Sequence, residues 1–216
     1  MMTGFRIGLV VAMAALVADC RTALAQHADD VILSIVNGRL DTGQVGSDGT
    51  IVTGRRVFEA PFNPLTPGFT DEPGFDSLPG TFATPSTIGF RLQRALRMWD
   101  GGGFDAAPSE TIGVSFGPLG PVSTPTADVP VEGFALPVGS NGQWHKHLEY
   151  LLSPPQSDGV YVMEVVLYSS PENVAESRPF WLVFGMNVDD AELDAAVDWA
   201  KRNLVCRVDF NGDEVV

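Results

Sequence analysis

The chain has 216 residues, with 27 Asp and Glu against 13 Lys and Arg, a formal net charge of −14. That balance argues against a nucleic-acid partner, whose phosphates require an excess of Lys and Arg. It is the charge of a soluble surface, and it also attracts divalent cations weakly.

Residues 1–25 read as an export signal. Arg6 supplies a thin basic start, residues 7–18 are apolar and uncharged, and Ala23-Leu24-Ala25 fits the small-x-small cleavage rule. The apolar run is shorter than the about 20 residues a membrane span needs. Asp19 stands where a small residue should precede a lipidated cysteine, which disfavours Cys20 as a lipid anchor. Cleavage after Ala25 removes Arg6, Arg21 and Asp19, takes the net charge from −14 to −15 and leaves Gln26-His27 at the new terminus. The expected product is exported (periplasmic, extracellular or at the cell surface), with no membrane span. It retains Cys206 alone, so no internal disulfide is expected. Roughly 190 residues suffice for one core without staples.

Residues 26–204 are expected to form one domain. Short apolar runs rich in Val, Phe and Thr, punctuated by Gly and Pro, predict an all-β fold, a sandwich or jelly-roll-like domain. The predicted strands are 31–36, 56–59, 87–92, 95–99, 111–116, 131–137, 145–152, 160–168 and 180–184. Residues 61–86 carry six prolines and predict a long loop over the sheet. Pro154-Pro155 and Ser157-Asp158-Gly159 predict a hairpin between 145–152 and 160–168. Segment 160–168 is apolar on both faces except at Glu164, the pattern of a central, doubly covered strand. Asp71, Asp76 and Asp100 sit in turn-forming contexts and read as turn residues. Gly101-Gly102-Gly103 lacks the setting of a phosphate loop.

One helix is predicted at the C-terminal end. Asn187 to Asp190 supply a cap and acidic first turn, Lys201 and Arg202 a basic last turn, and Leu193, Ala196, Val197, Ala200 and Leu204 a stripe facing the sheet. Asp209, Asn211 and Asp213 match places 1, 3 and 5 of a calcium loop. Place 6 is Glu214 rather than Gly, and place 12 falls past residue 216. Residues 205–216 thus read as the start of a truncated EF-hand-like repeat with an incomplete Ca2+ site.

The chemistry concentrates in His145-Lys146-His147-Leu148-Glu149, which holds two of the three histidines. In an extended strand residues 145, 147 and 149 share a face, stepping by roughly 6.6 Å per pair. Zinc takes nitrogen and oxygen donors at about 2.0–2.2 Å, so His145 and His147 are candidate ligands. Glu149 is a candidate as a third donor or as a partner of a ligand histidine, and His27 as a donor folding back from the terminus. The plainer alternative is a solvated strand face. Metal binding needs neutral imidazole and so weakens as pH falls through about 6.5. Gly-x-Ser-x-Gly, His-Glu-x-x-His and a cysteine placed with a histidine are all absent, so no catalytic residue is predicted.

In order along the chain, His27-Ala28-Asp29, Thr70 to Phe75, Ile88-Gly89-Phe90, Trp99-Asp100-Gly101, His145 to Glu149 and Pro179 to Phe184 resemble a family of exported bacterial PEP-CTERM proteins repressed by a zinc-sensing regulator. The likeness covers about residues 27–203 and implies a secreted β-rich protein connected with zinc economy. The Pro-Glu-Pro motif, membrane segment and basic end of that family are missing here. In their place residues 206–216 resemble the opening of a dockerin-type calcium repeat, through whose remainder a protein partner could be reached.

The leading expectation is an exported, non-enzymatic zinc-binding protein that captures, buffers or presents the ion. A secreted metalloenzyme is the second reading; its copper-oxidase version requires His27 to chelate through its own amine, which Gln26 blocks. The third is a structural or carbohydrate-binding sandwich presenting Trp99, Trp144 and Trp181 to sugars.

Overall fold

Asn37 and Gly38 both adopt positive φ, 51° and 76°, which is what a two-residue type I′ hairpin turn requires. They join β1 (Val31–Val36) to β2 (Arg39–Val45), and β3 (Ile51–Thr53) continues the meander. The structure, a computed structural model, describes residues 30–171 and 174–207. The remaining strands are β4 (Val57–Glu59), β5 (Phe69–Thr70), β6 (Phe75–Ser77), β7 (Thr87–Leu92), β8 (Arg97–Met98), β9 (Ile112–Phe116), β10 (Leu119–Ser123), β11 (Val131–Pro137), β12 (Glu149–Leu152), β13 (Gly159–Ser170) and β14 (Phe180–Met186). One helix, α1 (Asp190–Arg207), follows.

The strands form three sheets, ordered β3-β2-β1-β6, β10-β9-β12-β5 and β11-β7-β13-β14-β4, with β8 beside β13. The expected all-β sandwich with one C-terminal helix is the observed architecture. Leu33, Phe75, Val114 and Tyr150 of the two smaller sheets meet Phe58, Leu92, Met163 and Phe180 of the large one in the main core. β13 alternates between two interiors. Tyr161, Met163, Val165 and Leu167 enter the main core, while Val160 and Val162 turn to a second cluster under the helix. It is the central, doubly covered strand its composition predicts, flanked by β7 and β14.

Asp189 caps α1, its carboxylate accepting the Glu192 N–H at 2.9 Å. Ala196, Val197 and Ala200 are buried in the second cluster, with Leu193 and Leu204 packed against it, so the predicted stripe is the docking face. The helix runs on to Arg207, which moves Lys201 and Arg202 out of its final turn.

The predicted hairpin between 145–152 and 160–168 does not form. β12 pairs with β9 and β5, whereas β13 pairs with β14, β7 and β8. Residues 153–158 instead cross from one layer to the other, held by Ser153 N–H on the Thr111 carbonyl and by Ser157 N–H on the buried Glu110. The segment 61–86 is not wholly loop either, since it contributes β5 and β6 between its prolines. Residues 209–213, expected to open a calcium-type loop, and residues 1–25, expected to be an export signal, lie outside the described residues. Among the described residues no helix is long and apolar enough to cross a membrane.

Candidate metal centre

A short ladder builds the site. Phe75 and Lys146 form an antiparallel bridge with both backbone hydrogen bonds made, 2.8 and 2.9 Å. Side chains alternate along each strand. With Phe75 in the core, Gly74 and Asp76 face the opposite way, and His145 and His147 face with them across the bridge. On the far side of β6 the Val31 N–H donates to the Gly74 carbonyl at 2.9 Å, and Val31 pairs with Phe75. Asp30 therefore arrives beside Gly74, on the side carrying the histidines.

One donor atom each of Asp30, His145 and His147 lies within 4.8 Å of the other two, and the imidazole centroids are 5.3 Å apart. Tetrahedral zinc with bonds of about 2.1 Å holds its donors roughly 3.4 Å apart, so closure asks for side-chain shifts of about an ångström. Exposure is graded: Asp30 is fully buried, while the side chains of His147 and His145 are 24% and 41% exposed. An ion would enter from the histidine side and meet the carboxylate at the floor.

Gly74 is the floor's other half. A Cβ added there would stand 2.5 and 2.7 Å from Cε1 and Nε2 of His147 and 2.8 Å from Oδ1 of Asp30. The gap between imidazole and carboxylate thus exists because residue 74 has no side chain. The Gly74 N–H donates to Asp30 Oδ1 and to Glu72 Oε2, each at 3.1 Å. Behind the rings lie acceptors. The Asp71 carbonyl is 3.2 Å and Glu72 Oε1 3.5 Å from His147 Nδ1. Asp76 Oδ1 is 3.5 Å from His145 Nδ1.

Of the residues singled out from sequence, His145 and His147 are brought together. Glu149 is not in their group. It shares their side of the ribbon, but lies two residues further along in β12, where its carboxylate accepts the Ser115 hydroxyl at 3.1 Å. His27 lies outside the described residues. The carboxylate that joins the histidines is Asp30, immediately ahead of β1. Asp76 is more than the turn residue it resembles, since it is a buried carboxylate set behind His145. Asp71 contributes its carbonyl, and Asp100 is a turn residue as expected, its carboxylate held below the ordinary range by the N–H groups of Gly102 and Gly103.

Of the three tryptophans singled out from sequence, Trp144 and Trp181 are buried, while Trp99 is half-buried and packs on Phe104 and Trp199. Comparison with family profiles, curated proteins and solved structures finds no match, so the likeness to zinc-repressed exported proteins stands on its motifs alone.

Proposed function

We propose that this protein is an exported zinc-binding protein that captures, buffers or presents the ion outside the cytoplasm, without catalysing a reaction. The observation that carries this reading is the convergence of two imidazoles and a buried carboxylate over a glycine that leaves room for an ion. The donor set suits zinc, which takes His nitrogen and Asp oxygen. The resemblance to a zinc-repressed exported family and the signal-like residues 1–25 agree with it.

Calorimetric titration of the secreted form with zinc at pH 7.5 tests the site. The wild type is expected to bind one ion, and His145→Ala/His147→Ala to bind about a hundredfold more weakly or worse. Equal binding by the two proteins would falsify the assignment.

A second reading has one observation in its favour. Two histidines and one carboxylate are also the donor set of iron(II) sites that keep open positions for chemistry, so a secreted metalloenzyme remains the alternative function. Zinc outranks iron(II) at such donors whatever the role, so the metal content of the protein as its own cell releases it separates the two: zinc supports the first reading and iron the second.

A further inference from the structure

We infer that Asp76 is a positioning residue for the metal centre: with the Asp71 carbonyl, it holds both imidazoles protonated at Nδ1 so that both Nε2 lone pairs face Asp30. This rests on the zinc reading above and assigns a role to a residue outside the donor set.

A ligand imidazole binds through one nitrogen, and the hydrogen bond made by the other decides which one that is. Each ring here has an acceptor at Nδ1. For His147 it is the Asp71 carbonyl at 3.2 Å, and a carbonyl can only accept, so Nδ1 carries the proton. Nε2 of the same ring lies over Gly74 beside Asp30 Oδ1, as the two contacts of an added Cβ show. For His145 the oxygen facing Nδ1 is Asp76 Oδ1, at an ion-pair distance of 3.5 Å.

Asp76 is itself fixed. Its side chain is 3% exposed, and the same oxygen accepts the Ser77 N–H at 2.7 Å and Gln143 Nε2 at 2.9 Å. A carboxylate so held keeps its aim. Register supplies the placement: the Phe75–Lys146 bridge sets residue 76 opposite residue 145 and residue 74 opposite residue 147. One ladder therefore delivers the acceptor behind one ring and the empty space before the other. A carboxylate behind a ligand histidine also raises its basicity toward the metal, and removing such partners commonly lowers affinity 10–100-fold.

Two measurements test this. Long-range proton–nitrogen NMR of the zinc-free wild type at pH 8 should show His145 and His147 with protonated Nδ1 and bare Nε2. A proton on Nε2 of His145 overturns the inference, and this readout needs no variant to fold. Asp76→Asn, which keeps the shape and an acceptor but not the charge, should bind zinc 10–100-fold more weakly while its backbone amide spectrum matches the wild type. Unchanged affinity in a folded Asp76→Asn removes the positioning role. Were Asp76 only a tie for Ser77 and Gln143, melting temperature would fall but the His145 tautomer would not move. A wild type that binds no zinc defeats the metal reading itself, a result distinct from either of these.

Discussion

Gly74 shows how much of the site rests on a missing methyl group. Its φ is not in the left-handed region, so alanine meets no backbone objection there, and replacing a strand glycine ordinarily shifts stability by under about 1 kcal/mol. The added Cβ, however, falls 2.5–2.8 Å from the His147 ring and Asp30, closer than carbon approaches such atoms. The half-exposed ring must swing away, and with it the donor. Gly74→Ala is therefore expected to fold, to melt within a few degrees of the wild type, and to lose zinc affinity by a factor of about 100. Wild-type affinity in a folded Gly74→Ala would place the ion elsewhere. Asp30 illustrates the opposite problem of recognition. The His-x-His spacing announces two donors by itself, whereas Asp30 joins them through a parallel pairing between β1 and β6, and no local spacing in the chain encodes a contact between residues 30 and 145.

At the level of elements, the sequence is informative where a face is apolar and quiet where pairing alone makes the strand. Segments 31–36, 87–92 and 131–137 are strands over those same residues, each marked in the sequence by β-branched, aromatic or other apolar side chains between turn signals. β2 and β6 escape that criterion. β2 mixes Arg39, Asp41 and Gln44 with its buried residues, and its signal is the Asn37-Gly38 turn before it. β6 is three residues long and sits between prolines, held by partners on both sides. The hairpin expected from Pro154-Pro155 fails for a related reason, since a turn-forming sequence can equally carry the chain across the core to the facing layer. β13 carries a testable cost of such double cover. Glu164 stands on its helix side, where burial pushes its carboxyl above the usual range and the Arg94 guanidinium, 3.8 Å away, offsets this only in part. A carboxyl raised in the folded state favours folding while protonated, and that advantage is lost as pH rises through its folded value. Glu164→Gln keeps an acceptor for the Trp181 indole N–H and removes the charge. It should melt higher than the wild type at pH 7.5 and no higher at pH 3.5, where the wild-type carboxyl is already neutral. A lower melting temperature at pH 7.5 would mean that the Arg94 pair outweighs burial.

For the whole molecule, the candidate metal centre lies on a seam. The two four-stranded sheets are separate ladders, and the Phe75–Lys146 bridge runs between the end of one and the approach to the other. The donors come from both sides of it: Asp30 precedes β1 in the first sheet, and His145 and His147 precede β12 in the second. An ion bound there ties segments far apart in sequence, the situation in which a clip removes most freedom from the unfolded chain. Binding to the folded state alone stabilises by about 2.7 kcal/mol when free zinc is a hundred times its dissociation constant. For a domain of this size each kcal/mol raises the melting temperature by about 2–4 °C. Scanning calorimetry with saturating zinc should thus show a rise of roughly 5–11 °C, reversed by a chelator and absent from His145→Ala/His147→Ala. The size of the shift also reports on the seam. Were the ion held by the exposed histidines without Asp30, the first sheet would gain nothing from it, and Asp30→Asn would keep the full shift; with Asp30 as the third donor, that variant loses most of it.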